Sequence, residues 1–161
     1  MPRYFVPNPV QHMKRFTLHK NLFPELAAAM LIFIFLYTSI SKIANWQLFL
    51  DSLKHFPLLR TIPFIVACGV VWAELSAVLL LLLPKFRWIG LYFSLLLLIL
   101  FTLYIGFMML FASELPCSCG GIIQQLTWKQ HLLLNLSLIV IAAAGIAFET
   151  LRRNDYHPQI P

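Results

Sequence analysis

A chain of 161 residues, 60% of them hydrophobic and 11% charged, with a mean hydropathy of +0.82, has too little polar surface to close a water-soluble globule; its composition is that of a membrane protein. The net charge of +6 does not signal nucleic acid, because the basic residues stand singly or in pairs beside apolar runs, where lipid headgroups meet them. Three cysteines exclude a disulfide-dense scaffold and leave one redox pair plus a spare thiol.

Residues 1–21 carry Arg3, Lys14, Arg15 and Lys20, while Pro2, Pro7 and Pro9 discourage an early helix. They read as a cytosolic arm on anionic lipid. A cleavable signal peptide does not fit, because the apolar stretch that follows is too long for an h-region and no small-residue cleavage site comes after it. The first span runs from about Leu22 to Ile43, enough to cross roughly 30 Å of hydrocarbon at about 1.5 Å per residue. Its last turns change character, with Tyr37, Thr38, Ser39, Ser41 and Lys42 replacing Leu, Ile and Phe. Lys42 at such a place snorkels to the headgroups, with a ligand role as the alternative.

Between Ala44 and Arg60, the residues Trp46, Phe49, Leu50, Leu53 and Phe56 recur at helical spacing against Gln47, Asp51, Lys54 and His55, the pattern of a short helix lying in the interface. Thr61 is the expected cap and Pro63 the opening residue of a second span, from about Ile62 to Leu83. Pro84, Lys85 and Arg87 then make a tight turn. The third span runs from about Trp88 to Ala112. Thr127 and Gln130 form a capping box, so a fourth helix should restart at Trp128 and run to about Leu151. Trp46, Trp88 and Trp128 fall at span ends as an aromatic belt, and Ala143, Gly145 and Ala147 suggest close helix contacts. The expected architecture is an all-α integral membrane protein. It is a four-helix antiparallel bundle over residues 22–151 with a short interfacial helix after the first span, flanked by the arm and a polar tail, 152–161.

Four spans sort the basic residues by side. Arg3, Lys14, Arg15, Lys20, Lys85, Arg87, Arg152 and Arg153 fall on one side, and Lys42, Lys54, Arg60 and Lys129 on the other. The richer side is expected to be cytosolic, with both termini. The segment Pro116-Cys117-Ser118-Cys119-Gly120-Gly121 then faces the periplasm or exterior, where disulfides persist.

Cysteines two apart can just reach disulfide geometry, in a small strained ring. Strain raises the reduction potential, which makes such a bond exchange-competent rather than a staple. Pro116, Gly120 and Gly121 supply one fixed and two permissive backbone positions for it. The alternatives are a structural disulfide and a metal site, the latter needing His131 and lacking an obvious fourth ligand. Glu74 sits roughly 18 Å along the second span, near the bilayer centre, where a carboxylate by default marks function. It should be protonated or bonded to groups such as Tyr37, Thr38, Thr102, Tyr104 or Asn135, acting as a helix clamp, a proton relay or a quinone contact. Ser41, Thr38, Tyr37, Cys68, Tyr104, Thr102, His131 and Asn135 all lie in the outer half of their spans. His131 and Asn135, four apart, share a face. Together with Lys42 they outline a polar pocket beneath the cysteine loop and floored by Glu74, or cross-bonds between helices. Cys68 reads as a packed small residue before a third redox partner.

The sequence Tyr37-x-x-x-Ser41-Lys42-Ile43, Glu74 with its Leu-rich run, Phe101-Thr102-x-Tyr104, Cys117-Ser118-Cys119-Gly120-Gly121 and Trp128-x-x-His131-x-x-x-Asn135 together resemble the DoxX-like superfamily, most closely the MauE family of methylamine utilisation proteins. The resemblance covers nearly all of Leu22 to Leu151. It implies a four-helix inner-membrane protein concerned with disulfide formation in an exported partner. Many members carry Cys-x-Cys-Phe-Gly; here Gly120 replaces the Phe.

These readings converge on a membrane accessory of periplasmic thiol-disulfide chemistry, with Cys117 and Cys119 exchanging with a membrane or periplasmic partner protein. Glu74 and its polar neighbours would handle protons or a quinone headgroup. A non-catalytic subunit of a larger membrane complex and a small-solute carrier are the alternatives.

Overall fold

The computed structural model describes residues 9–54, 59–111 and 128–156. Among them the chain forms five helices: α1 (Pro9–Ala44), α2 (Trp46–Lys54), α3 (Pro63–Leu82), α4 (Arg87–Phe111) and α5 (Trp128–Tyr156). Four stretches are long and apolar enough to span a membrane: Leu22–Ala44, Pro63–Leu82, Arg87–Leu110 and Lys129–Arg153. The antiparallel four-span bundle and the short helix after its first span are therefore as expected.

Each span buries one stripe and exposes apolar side chains elsewhere. On α1 the stripe is Pro24, Ala28, Leu31 and Phe35, spaced three and four apart as helical geometry requires. On α3 it is Ala67, Val71, Glu74, Val78 and Leu81; on α4 Leu91, Ser94, Leu98, Ile105 and Met108; on α5 Asn135, Leu138, Ala142 and Glu149. Ala28, Leu31, Val78, Leu81, Leu91, Leu98, Leu138 and Ala142 of these stripes meet in one core with Phe35. Phe33, Trp72, Leu103, Leu110 and Val140 point outward and are largely exposed, a surface that is stable against acyl chains and costly in water.

Close approach is built from small residues. A Cβ on Gly90 would lie 2.9 Å from the Leu81 backbone nitrogen, so glycine sets the α3–α4 separation; a Cβ on Gly145 would lie 3.2 Å from the Cβ of Ala27 on α1. The buried partners on α5 are Ala142 and Gly145, whereas Ala143 and Ala147 face outward. Of the three small residues expected at helix contacts, only Gly145 makes one.

Several boundaries differ from expectation. Helix α1 begins at Pro9, inside the expected arm, because a proline at a helix's first turn gives up an N–H that has no intrahelical partner in any case. Helix α5 continues to Tyr156, past Arg152 and Arg153, whose charges suit a helix C-terminus. Thr61 does not cap α3: Ile62 holds the N-cap position without a side-chain hydrogen bond, and Pro63 follows at the first turn. The cysteine loop, Phe56 and Thr127 lie outside the described residues, as do the ends of the arm and tail.

Candidate functional site

The buried stripe of α1 turns polar where it continues beyond Phe35. The next positions are Thr38, Ser39 and Lys42, and they face Glu74, the midpoint of the α3 stripe. Glu74 is 1% exposed. Its Oε1 accepts from Lys42 Nζ at 2.6 Å and from Thr38 Oγ1 at 3.3 Å, while Oε2 accepts from Ser39 Oγ at 2.9 Å. Both oxygens are acceptors and all three partners are donors, the arrangement that suits an anion.

Lys42 is turned inward, and its side chain is only 19% exposed. The snorkelling expected of it is therefore not what it does. Its ammonium lies 5.5 Å from the Phe101 ring centroid on α4 and 5.7 Å from that of Phe49 on α2. The two π faces and the carboxylate together replace much of the water that the ammonium gives up. Helix α2 closes this end of the bundle. It packs mainly on α3, with Trp46 edge-on to Phe64 at 6.0 Å, and it receives the Tyr104 hydroxyl from α4 at Ser52 O, 3.4 Å away.

The fourth span completes the layer. Phe23 packs against Phe148 and Gly145 approaches Ala27, an antiparallel register that sets Asn135 within about one turn of Thr38. Asn135 is buried, and its Nδ2 has no hydrogen-bond partner among the described residues; nor has the buried Ser41 Oγ on α1. His131, one turn from Asn135 on the same face, is partly buried.

Among the expected pocket residues, the structure joins Thr38 and Lys42 to Glu74 directly. Thr102 instead donates to Leu98 O within its own helix, and Tyr104 turns to α2, so neither bonds the carboxylate. Tyr37 is half-buried on α1, and Cys68 is a half-buried free thiol on α3. Cys117 and Cys119 lie outside the described residues. Three members were not foreseen at the site: Ser39, Phe49 and Phe101. Ser39 was legible as the next residue of the α1 stripe, whereas Phe49 and Phe101 depend on how α2 and α4 fold over Lys42. Among the described residues no three His, Cys, Asp or Glu side chains gather as metal ligands. The unpartnered Asn135 amide and Ser41 hydroxyl are suited to a carbonyl oxygen.

The sequence model of the methylamine utilisation protein MauE matches residues 20–148, a stretch that contains every residue of this layer. Neither a curated protein nor a solved structure matches the chain.

Proposed function

Since the chain belongs to the MauE family, we propose that it is a membrane accessory in the maturation of a partner protein, acting by thiol-disulfide exchange at Cys117 and Cys119. The observation that carries this reading is the Lys42–Glu74 ion pair. It stands in the half of the bundle where α4 ends and α5 begins, and the cysteine segment connects those two helix ends. A buried charge pair at the end of the bundle that this segment joins would let proton handling accompany electron exchange at the sulfurs. The positive-charge count supports an outward-facing position of that half in a bacterial inner membrane.

In the exchange, a thiolate of the partner attacks one sulfur of the Cys117–Cys119 disulfide, whose bond breaks. The partner's second thiolate then closes its own disulfide, leaving the dithiol here. Two electrons enter the chain, and two protons accompany them. A membrane quinone would supply the acceptor that restores the disulfide, becoming a quinol with those two electrons and protons. Asn135 Nδ2 and Ser41 Oγ are the buried donors that would hold its carbonyl oxygens, and Glu74 with Lys42 and His131 would hold and pass the protons.

The test is to change both Cys117 and Cys119 to Ser and measure thiols in secreted and membrane partners. Loss of partner disulfides at an unchanged membrane level of the variant supports the exchange. Loss of an assembled complex with partner thiols unchanged refutes it in favour of a structural subunit. Abolished solute uptake in Glu74→Gln at an unchanged membrane level of the variant, with uptake kept in the cysteine variant, refutes it in favour of a carrier.

A further inference from the structure

At the opposite end of the bundle from Lys42, a cavity of about 300 Å³ opens between α4 and α5, lined in part by Trp88, Tyr92, Glu149, Thr150 and Arg153. We propose that this cavity binds the headgroup of an aminophospholipid that carries a primary ammonium, such as phosphatidylethanolamine. Glu149 would take the ammonium and Arg153 the phosphate.

Glu149 is 4% exposed. Its Oε1 accepts from Arg152 at 2.8 Å, but its Oε2 is buried without a partner among the described residues. A buried carboxylate oxygen left unbonded is costly, and an N–H donor in the cavity removes that cost. Arg153 follows one turn later, about 6 Å along the helix, with its guanidinium 5.0 Å from the Trp88 ring centroid. The cavity thus presents a half-paired carboxylate and a guanidinium about one turn apart. A purely cationic ligand would meet Arg153, and a purely anionic one would meet Glu149. A zwitterion whose ammonium sits two carbons from its phosphate satisfies both.

The route in is from the bilayer. Trp88 and Tyr92, in edge-to-face contact at 6.3 Å, are 39% and 52% exposed at the start of α4, where interfacial aromatics would meet lipid. Acyl chains would run along that side while the headgroup turns into the cavity. The unbonded Oε2 calls for an N–H, so a quaternary choline, which has none, cannot replace the primary ammonium.

The experiment is native mass spectrometry of the full chain in detergent with phosphatidylethanolamine, phosphatidylcholine and phosphatidylglycerol. Phosphatidylethanolamine is expected to bind at least about tenfold more tightly than the other two, the lower end of what one charge-assisted hydrogen bond gives. Glu149→Gln should remove that preference and strengthen phosphatidylglycerol binding, since the anion no longer meets the carboxylate; Arg153→Gln, at an exposed position, should weaken both lipids. Equal binding of the three lipids by the unaltered chain, or a preference that survives Glu149→Gln, overturns the proposal. If Glu149→Gln does not fold, binding of both lipids unaffected by Arg153→Gln overturns it. Soluble phosphoethanolamine separates the sources: competition only at far higher concentration than the lipid supports a membrane ligand, and competition at equal concentration overturns it.

Discussion

Lys42 Nζ and Glu74 Oε1 are 2.6 Å apart across the α1–α3 interface, one partner fully buried and the other enclosed by two phenyl rings. A pair this deep is worth little over an apolar pair of the same shape, but it cannot lose one member cheaply. Lys42→Ala and Glu74→Gln should each destabilise the protein by about 3–5 kcal/mol. Joint replacement, Lys42→Met with Glu74→Leu, should recover most of that. Equilibrium unfolding in mixed detergent reads both; a double variant as unstable as the worse single one would contradict the account.

The two hydroxyls at Glu74 should differ in weight. Ser39 is fully buried and makes the shorter bond, to Oε2, whereas Thr38 shares its hydroxyl with Phe35 O at 3.2 Å and reaches Glu74 only at 3.3 Å. Ser39→Ala should cost about 1.5–3 kcal/mol, the range for a hydrogen bond to a charged group, and Thr38→Val clearly less. The same unfolding measurement decides it, and equal costs would count against the assigned geometry.

Glycines on the spans separate by environment. At Gly90 an added methyl would press on the Leu81 and Leu80 backbone, while at Gly69 and Gly106 nothing lies within 4 Å. Gly90→Ala should destabilise by about 1–3 kcal/mol through overpacking. Gly69→Ala and Gly106→Ala should be neutral or stabilising by up to about 1 kcal/mol, since alanine orders a helix more readily. Parallel thermal melts of the three variants would show the split.

The spans were legible because bilayer thickness demands long apolar runs that few other structures use. Helix ends in polar sequence were not, since Pro9 breaks a helix interior but opens a helix, and Arg152 breaks an apolar pattern but suits a C-terminus. Glu74 stood out as a charge at mid-span. Its principal partner did not, because a lysine in a span's last turn ordinarily reaches for headgroups. What decides otherwise is the stripe from Pro24 through Phe35 to Ser39 and Lys42, which aims the side chain inward. Tyr104 and Thr102 lie at a suitable depth on α4 but bond elsewhere, and depth alone does not supply direction.

The most direct test of the central claim is labelling of Cys117 and Cys119 in intact cells with a membrane-impermeant maleimide, in a Cys68→Ser background so that only the pair reports. The account predicts no labelling of untreated cells and labelling of both thiols after mild reduction. Labelling that appears only once the membrane is permeabilised would place the sulfurs on the inner side and contradict it.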